Sequence, residues 1–434
     1  MKMRDVRNAA DQLEKSLRAK GSDKYYLAVT ESETREFNAE NGEFSLYRTV
    51  IGGTAAAKVF SEGRTGTASG NDLSDEGLDK LAGEACASAS SADPDPAWDI
   101  APGEGKDLFR QGVYEPDMEK FFDRVSGLLA DVAREYPQIR VMAAIADHRR
   151  AHCIYRNTNG TEFEEFTGAY DFMIEFSAME GDRSTSINFC GITLTDLDTP
   201  FIDQGLTRKR LEDSIASLDA KPLEGKFTGT AVFTPDCLGD FISMLMGNYC
   251  ADSVILDGTS LWKDRVGEKV AADCVNIGFS TADPRIVTGS LYTTEGFRSE
   301  DLSFIEGGVL KTHLLSLYAA NKTGRPVTKS ALSGMYMVPG EKSLEEIIAG
   351  IDRGLLVGGF SGGQPGTNGE FSGVAKNSFL IEGGKIAGAV TETMINGNLG
   401  DVFANALAVS REVSCDGSTV LPYMAASGVI ISGK

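Results

Sequence analysis

The hydrophobic positions of the first half repeat at helical spacing in some segments and at strand spacing in others. Val6, Leu13 and Leu17 recur at helical spacing within the charged segment 1–21, which predicts an amphipathic surface helix and not a signal peptide. The proline-rich stretch 92–105 can form neither a helix nor a central strand, so we expect a surface loop there. The other predicted elements are strands at 24–32 and 43–60, the second broken at Gly52-Gly53, helices at 72–90, 116–136 and 207–219, and a strand meander over 139–180.

The meander contains two of the three histidines of the chain. Asn159-Gly160 is a strong hairpin signal. Strands predicted at 141–147 and 153–158 leave His148-Arg149-Arg150 as the turn between them. We therefore interpret His148 and His152 as exposed hairpin residues, although their spacing on a helix would suit the edge of a metal site.

The second half is rich in glycine and in turn signals. Two short units, 303–310 and 379–386, each place apolar strands on both sides of a Gly-Gly pair, which predicts tight hairpins. Ser343 and Glu346 form a capping box at the start of a helix that we expect to end at Gly354.

The start of the second half carries a strand that runs into a helix. The strand 230–233 leads to Thr234, a favourable N-cap residue, and to Pro235 at the first helical position. The residues of this helix that we expect to face inward are Leu238, Phe241, Ile242, Leu245 and Met246.

The order of these elements favours an α+β fold, because strands come in runs and helices are segregated from them. The segment 221–225 is the candidate boundary between two domains. We predict an N-terminal α+β domain of residues 1–222 and a hairpin-rich, largely antiparallel β domain of residues 223–434.

Composition narrows the classes of function. The 434-residue chain carries a formal net charge of −21, and its arginine and lysine clusters are short. Nucleic acids and anionic membranes are therefore disfavoured as partners. No apolar run approaches the roughly 20 residues needed to cross a bilayer, and the seven cysteines include no CxxC pair, which indicates reduced thiols. We expect a cytoplasmic protein.

Motifs for nucleophilic or phosphate chemistry are incomplete. Residues 359–363 match GxSxG, but a loop follows where a helix is needed and no histidine occurs beyond His313. His313 itself is expected to pack in a strand after a Gly-Gly turn. No GxxxxGK[ST] loop occurs.

Several segments, taken in their order and spacing, resemble the TldD/PmbA (TldE) family over nearly the whole chain. The segments that carry the resemblance are 229–249, 261–270, Asp283-Pro284, 294–296, 305–310, 368–373, 396–399 and 427–430. The family pairs two related subunits, and its names also invoke modulation of DNA gyrase. Because of the charge of this chain, we interpret the gyrase connection as indirect.

The resemblance implies that this chain is the PmbA/TldE-type subunit. The TldD-type subunit carries HExxGH on the helix that begins here at Pro235, where two histidines hold zinc and the glutamate is the general base. Placed on this helix, the pattern puts the histidines at Ser243 and Asn248, the glutamate at Met244 and the glycine at Gly247. We expect these degenerate positions to bind no metal, and zinc to reside in the TldD-type partner.

Three functions remain open at this point. The first is a non-catalytic subunit of a heteromeric, cytoplasmic metallopeptidase that acts on unfolded peptides. The second is a stand-alone metallopeptidase with an atypical zinc site, to which Cys415 could contribute. The third is an adaptor that binds peptides or a partner without proteolysis, and the isolated chain could form a homodimer in any of these cases.

The glycine-rich second half suggests where a peptide would bind. The hairpins at 303–315 and 378–390 offer strand edges, and an edge can pair with any extended chain. The loop from Gly362 to Gly373 is the candidate lip, with Thr367, Asn368, Phe371 and Ser372 as the predicted peptide-binding residues.

Overall fold

Strands dominate the structure, and helices cover parts of two β-sheets. The computed structural model describes residues 5–391 and 393–433. One sheet has eight strands and belongs to the N-terminal half, and the other has fourteen strands and belongs to the C-terminal half. The α+β class is therefore confirmed, with a largely antiparallel second half. No helix in the described ranges is both long and apolar enough to span a bilayer.

The N-terminal sheet has the strand order β3-β2-β1-β5-β6-β4, with β7 and β8 also paired to β6. Its elements, in chain order, are α1 (Val6–Ala19), β1 (Tyr25–Glu40), β2 (Glu43–Ser61), β3 (Arg64–Gly70), α2 (Asp75–Ser91), β4 (Lys106–Gly112), α3 (Met118–Glu135), β5 (Ile139–Asn157), β6 (Glu162–Glu180), β7 (Arg183–Ser184), β8 (Asn188–Leu194) and α4 (Thr207–Ala216), with 3₁₀ turns at Phe201–Asp203 and Ser217–Asp219.

The predicted helices and the proline-rich loop of this half are confirmed, except that residues 1–4 of the first predicted helical segment lie outside the described residues. α1 begins after Asp5, whose side chain accepts a hydrogen bond from the Arg7 amide, and buries Val6, Leu13 and Leu17. A short apolar stripe of this kind holds a surface helix on the sheet. The loop between α2 and β4 contains neither helix nor strand.

The predicted break of the second strand is wrong, because β2 runs through Gly52-Gly53 without interruption. These residues pair with Ser32 and Glu31 of β1. A Cβ on Gly53 would lie 2.6 Å from Cδ1 of Leu73. The glycine thus makes room for a leucine that packs on the sheet, and does not end the strand.

The predicted turn at His148-Arg149-Arg150 is also wrong. β5 is one strand of 19 residues, and His148 pairs with Arg35 of β1 on one side and Tyr170 of β6 on the other. A residue held between two strands cannot lie in an exposed turn, and His148 is only 1% exposed. The hairpin predicted at Asn159-Gly160 does connect β5 with β6, and Gly160 has the positive φ of +97° that such a turn uses.

The C-terminal sheet has the main strand order β13-β12-β11-β14-β22-β10-β15-β18-β19-β9. Its elements are β9 (Lys221–Pro222), β10 (Lys226–Phe233), α5 (Pro235–Tyr249), α6 (Asp252–Leu256), β11 (Ile277–Phe279), β12 (Leu302–Glu306), β13 (Val309–Leu310), α7 (Leu317–Thr323), β14 (Met335–Met337), α8 (Leu344–Ala349), β15 (Arg353–Val357), β16 (Gly359–Gly362), β17 (Glu370–Lys376), β18 (Ser378–Glu382), β19 (Lys385–Thr391), β20 (Met394–Asn398), α9 (Leu399–Ala404), β21 (Ala406–Cys415) and β22 (Thr419–Ser432).

Both predicted Gly-Gly hairpins are present, as β12–β13 and β18–β19, and all four turn glycines have positive φ. The capping box of Ser343 and Glu346 is confirmed at α8. The predicted end of that helix is wrong, because α8 stops at Ala349 and Gly354 lies in β15 opposite Thr230. A Cβ on Gly354 would lie 2.3 Å from the Thr230 carbonyl oxygen, so close strand packing explains this glycine.

Candidate functional site

Helix α5 packs one face into the core of the C-terminal half and turns the other outward. Its buried residues are Pro235, Cys237, Leu238, Phe241, Ile242, Leu245 and Tyr249. Thr234 occupies the predicted N-cap position, but its hydroxyl accepts no hydrogen bond from the first amides of the helix and instead donates to the carbonyl oxygen of Gly358 at 3.2 Å. This bond ties the start of α5 to the segment that leads into β16.

Three aromatic rings fix β16 and β17 to α5. Phe241 is fully buried, and its ring centroid lies 5.4 Å from that of Phe360 on β16 and 5.1 Å from that of Phe371 on β17. Both pairs meet edge to face, the arrangement that aromatic quadrupoles favour. The outer face of α5 and the strand β16 are thereby held beside each other.

A cleft of about 570 Å³ lies between α5 and the chain around β16. Its lining from α5 includes the three positions predicted to correspond to the HExxGH motif, Ser243, Met244 and Asn248, together with Gly247 and Asp240. The opposite wall is formed by Phe360, Gly362, Gly363, Gln364 and Pro365. The structure therefore brings the predicted positions on the helix together in one concave surface.

The residues of this cleft do not fit a zinc ion. Zinc in proteins is held by thiolate, imidazole or carboxylate groups, whereas Ser243, Met244 and Asn248 supply a hydroxyl, a thioether and a carboxamide. Within residues 5–391 and 393–433, no three His, Cys, Asp or Glu side chains form a group suited to a metal.

Asp240 is the carboxylate that lines the cleft, and no described residue forms an ion pair or hydrogen bond with it. Partial burial raises its pKa, and the nearby Asp236 raises it further. Asp236 is itself paired with Arg210. Because Asp240 has an acidic neighbour and no cation of its own, this part of the cleft favours a positively charged group.

Asn248 contributes an unpaired donor at the far end of the cleft. Its Nδ2 atom is buried, and no described residue accepts a hydrogen bond from it in good geometry. The adjacent Tyr249 hydroxyl interacts with this amide, but one hydroxyl can satisfy at most one of its two N–H groups. At least one N–H donor of Asn248 is therefore unpaired among the described residues.

The four predicted peptide-binding residues lie on and below the loop that follows β16. Thr367, Asn368 and Ser372 are exposed, whereas Phe371 is only 4% exposed and packs against the ring of Phe241. Ser372 lines a second cleft of about 570 Å³, bounded by β17, β20, α9 and β22. The assignment of these residues to peptide binding stays a prediction.

The loop is held against the end of α5 by its own backbone. The Asn398 side chain donates to the carbonyl oxygen of Asn368 at 2.7 Å. Gly369 has φ +85°, and a Cβ there would lie 1.9 Å from the Tyr249 hydroxyl. Glycine at this position lets the loop approach the helix.

None of the three histidines lines the α5 cleft. Nε2 of His148 lies 2.6 Å from the Val113 carbonyl oxygen, and burial lowers the pKa of this imidazole. His152 lies 2.9 Å from Glu164 and stacks on Phe166. Their interpretation as exposed residues is wrong, because both side chains face neighbours within the sheet.

His313 and Cys415 also contact neighbouring parts of the chain, each through a backbone carbonyl oxygen. His313 follows β13 in a loop, is 4% exposed, and lies 3.1 Å from the Trp262 carbonyl oxygen. The Cys415 thiol donates to the Arg285 carbonyl oxygen at 3.4 Å, and burial raises the pKa of the thiol. Cys415 lines a cleft with β8 and the chain near Pro284, and not the cleft of α5.

Two features of the site were not predicted from the sequence. Residues 359–362 form a strand, and Asp240 faces it across the cleft. The available signal was the spacing of the polar residues Asp236, Asp240, Ser243 and Gly247, which recur at helical intervals opposite the apolar face.

Comparison with known proteins finds two domain families that match parts of this chain. Residues 225–433 match the domain family described as "PmbA/TldA metallopeptidase C-terminal domain", and residues 26–89 match "PmbA/TldA metallopeptidase domain 1".

Among curated relatives, a protein named "Metalloprotease" from Methanothermobacter thermautotrophicus is 33% identical over 215 residues. That alignment covers 46% of each chain, so this chain spans about half the length of that relative. "Metalloprotease PmbA" from Escherichia coli O157:H7 is 26% identical over 427 residues, which cover 91% of this chain and 89% of that one.

Among solved structures, TldE from Thermococcus kodakarensis superposes with a TM-score of 0.83 at 21% identity. The superposition covers 97% of this chain and 100% of the other. This similarity establishes a shared fold.

Proposed function

Because the chain belongs to the PmbA/TldD metallopeptidase family, we propose that it is a non-catalytic subunit of a heteromeric, cytoplasmic peptidase that acts on unfolded peptides. A TldD-type subunit that retains HExxGH would carry the zinc ion and perform the hydrolysis. The domain boundary near residue 222 is part of the same proposal, with the C-terminal β-rich domain as the metallopeptidase-like one.

One observation carries the proposal. The helix α5 is intact and lines a cleft, but the positions that match HExxGH present Ser243, Met244 and Asn248. None of these side chains can act as a general base at neutral pH or replace a histidine at zinc. A subunit that keeps the cleft but lacks the zinc ligands and the general base is suited to assist a catalytic relative.

The test compares the isolated protein with the complex. We expect the purified chain to contain well below one zinc per molecule and to cleave no unstructured peptide. Co-expression with a HExxGH-bearing relative should yield a stable complex with about one zinc and measurable turnover. Turnover should vanish when the glutamate of the relative's HExxGH is replaced by glutamine.

Two outcomes favour the alternatives. About one zinc per isolated chain, together with peptide hydrolysis, would support a stand-alone metallopeptidase with an atypical site. Peptide capture without zinc and without any HExxGH-bearing partner in native pull-downs would support an adaptor.

A subunit of this kind needs a surface for its partner, and the distal part of β2 is the strongest candidate. β3 pairs with β2 only from Ala55 to Ser61, so the edge from Glu43 to Thr54 has no strand partner among the described residues. Along this edge Tyr47 is 60% exposed and Ile51 is 53% exposed. An open edge that also carries large apolar side chains is a ready site for a second chain.

This surface can be tested in the same complex. Replacing Tyr47 and Ile51 by lysine should prevent assembly while the isolated chain keeps its circular dichroism spectrum. Leu261→Lys is the matched control, because Leu261 is 59% exposed outside the β2 edge. If the edge variant assembles as well as the control, the interface with the partner does not include the β2 edge.

A further inference from the structure

We propose that the hairpin of residues 290–299 is a proton-sensitive latch between the two halves of the chain. It seats more firmly on the N-terminal sheet when Glu165 is protonated and loosens when Glu165 is ionised. The hairpin lies between β11 and β12 and is closed by the pairing of Tyr292 with Arg298. It does not line the cleft beside α5, so the latch is independent of the proposed function.

The ring of Tyr292 is seated among aromatic rings of the N-terminal sheet. Its centroid lies 5.1 Å from that of Phe163 on β6, 5.8 Å from that of Phe109 on β4 and 5.9 Å from that of Tyr155 on β5. Aromatic pairs at these separations attract each other beyond the burial of their area. Because the hairpin belongs to the C-terminal half by sequence, this contact holds the two halves together.

The tip of the hairpin fits closely against the sheet. The Tyr155 hydroxyl donates a hydrogen bond to the carbonyl oxygen of Glu295 at 2.7 Å. Gly296 has φ +91°, and a Cβ there would lie 2.4 Å from the Tyr155 ring. Arg298 forms an ion pair with Asp107 on β4. The hairpin therefore has one defined seated position.

Glu165 lies beneath this seat without a cation. It pairs in the sheet with Cys153 of β5, and directly opposite residues of antiparallel strands share one face. The Tyr292 hydroxyl donates to Oε2 of Glu165 at 3.3 Å and lies 3.5 Å from the Cys153 sulfur atom. No lysine, arginine or histidine among the described residues forms an ion pair with Glu165.

The other charged groups of the contact have partners. Arg298 is paired with Asp107, and the Glu295 carboxylate accepts a hydrogen bond from the Leu317 amide at 2.9 Å and faces Lys58. Burial also raises the pKa of Glu295, so its titration acts in the same direction as that of Glu165.

The sign of the pH dependence follows from the burial of Glu165. Burial raises the pKa of this carboxyl, and the hydrogen bond from Tyr292 lowers it by less. When the hairpin lifts, Glu165 meets water and its pKa returns toward the ordinary value of about 4.3. The seated state therefore binds the proton more tightly, and the proton in turn favours the seated state. Seating is firmest below the ordinary pKa and weakens as pH rises through the raised one.

The experiment measures how fast the Cys153 thiol of the full-length chain reacts with dithiodipyridine, a disulfide reagent that also works in acid. The Cys153 thiol is partly exposed and contacts Tyr292, so lifting the hairpin uncovers it. Mass spectrometry of the peptide that carries Cys153 separates its signal from those of the other cysteines. Wild type and Glu165→Gln are compared at the same pH, because glutamine keeps the shape of the side chain and stays neutral.

At about pH 8 we expect Cys153 to react roughly threefold faster or more in the wild type than in Glu165→Gln, since a pKa difference of one corresponds to a tenfold change in the seating equilibrium. At about pH 4.5 the ratio of the two rates should fall toward one. The Glu165 charge itself raises the pKa of the Cys153 thiol, so its removal alone would speed the variant and cannot produce the expected result.

Two further variants test the geometry. Glu300→Gln is the matched control, because the Glu300 side chain is 65% exposed beside the hairpin and pairs with Lys329. It should react like the wild type at both pH values. Tyr292→Phe keeps the ring but removes the donor to Glu165, so it should speed the reaction of Cys153 more in the alkaline than in the acidic experiment.

Three outcomes would overturn the latch. They are equal rates in wild type and Glu165→Gln at alkaline pH, a ratio of these rates that does not change with pH, and a Glu300→Gln variant that behaves like Glu165→Gln. Circular dichroism of each variant establishes that the compared proteins are folded.

Discussion

Truncation of Phe241 to alanine should destabilise the C-terminal half and loosen β16, which forms one wall of the cleft beside α5. Phe241 is fully buried on α5 and contacts the rings of Phe233, Phe360 and Phe371. Removing the ring leaves a cavity where three elements meet. Phe360 belongs to β16 and lines the cleft beside α5. The truncation removes the ring on α5 against which Phe360 packs, so this wall of the cleft loses its contact with the helix.

The expected cost follows from the burial of the side chain. Phe→Ala substitutions in cores cost about 3–5 kcal/mol, which combines lost transfer free energy with the cavity left behind. With a urea dependence of about 3 kcal/mol per molar, a cost of 4 kcal/mol lowers the unfolding midpoint by roughly 1.3 M. Phe241→Leu retains most of the apolar volume, so we expect a smaller loss of about 1–2 kcal/mol.

Tryptophan fluorescence can follow this transition. Trp262 is 4% exposed and stacks on Tyr249 at the end of α5, with 4.5 Å between ring centroids. The only other tryptophan of the chain is Trp98, so a Trp98→Phe background isolates the signal of Trp262. Phe122→Ala is the matched control, because Phe122 also lies on a helix but is 40% exposed, and its loss should cost about 1 kcal/mol.

A loss of stability below about 1 kcal/mol in Phe241→Ala, or a loss equal to that of Phe122→Ala, would contradict this expectation. Either result would mean that the aromatic cluster does not fix β16 to α5.

Three further predictions concern the turn glycines, a buried histidine and DNA. Gly308→Ala should lower the free energy of unfolding in urea by more than about 2 kcal/mol, because its Cβ would lie 2.2 Å from the Ala271 carbonyl oxygen. Gly307→Ala meets open space and should cost only about 1 kcal/mol, for its positive φ alone. Equal losses in the two variants would contradict this expectation. The lowered pKa of His148 means that the unfolded chain binds a proton more readily than the folded one. Wild-type stability should therefore fall as pH drops below about 6.5, and by pH 5 the His148→Gln variant should lose up to about 2 kcal/mol less stability than the wild type. Parallel profiles of stability against pH for the two proteins would contradict this expectation. The charge of −21 predicts no submicromolar binding to duplex DNA at about 150 mM salt, which a gel-shift titration can check.

Local signals were reliable where one segment determined its own structure. The apolar stripe of α1, the capping box of Ser343 and Glu346, and the Gly-Gly hairpins depend on neighbours within a few residues. The α+β class follows from the order of such elements. The predictions were wrong where distant strands pair, since His148 is buried between β1 and β6 and Gly354 of β15 pairs with Thr230 of β10.

The candidate site divides in the same way. The local pattern predicts that the helix beginning at Pro235 has one apolar face, because helical period is a local property, and the family resemblance implies that Ser243, Met244 and Asn248 stand at the positions of HExxGH. The placement of Asp240 opposite β16 and of Phe371 in the core follows from the fold and not from any local pattern. Both depend on contacts between α5 and residues more than 100 positions later in the chain, which no local pattern encodes.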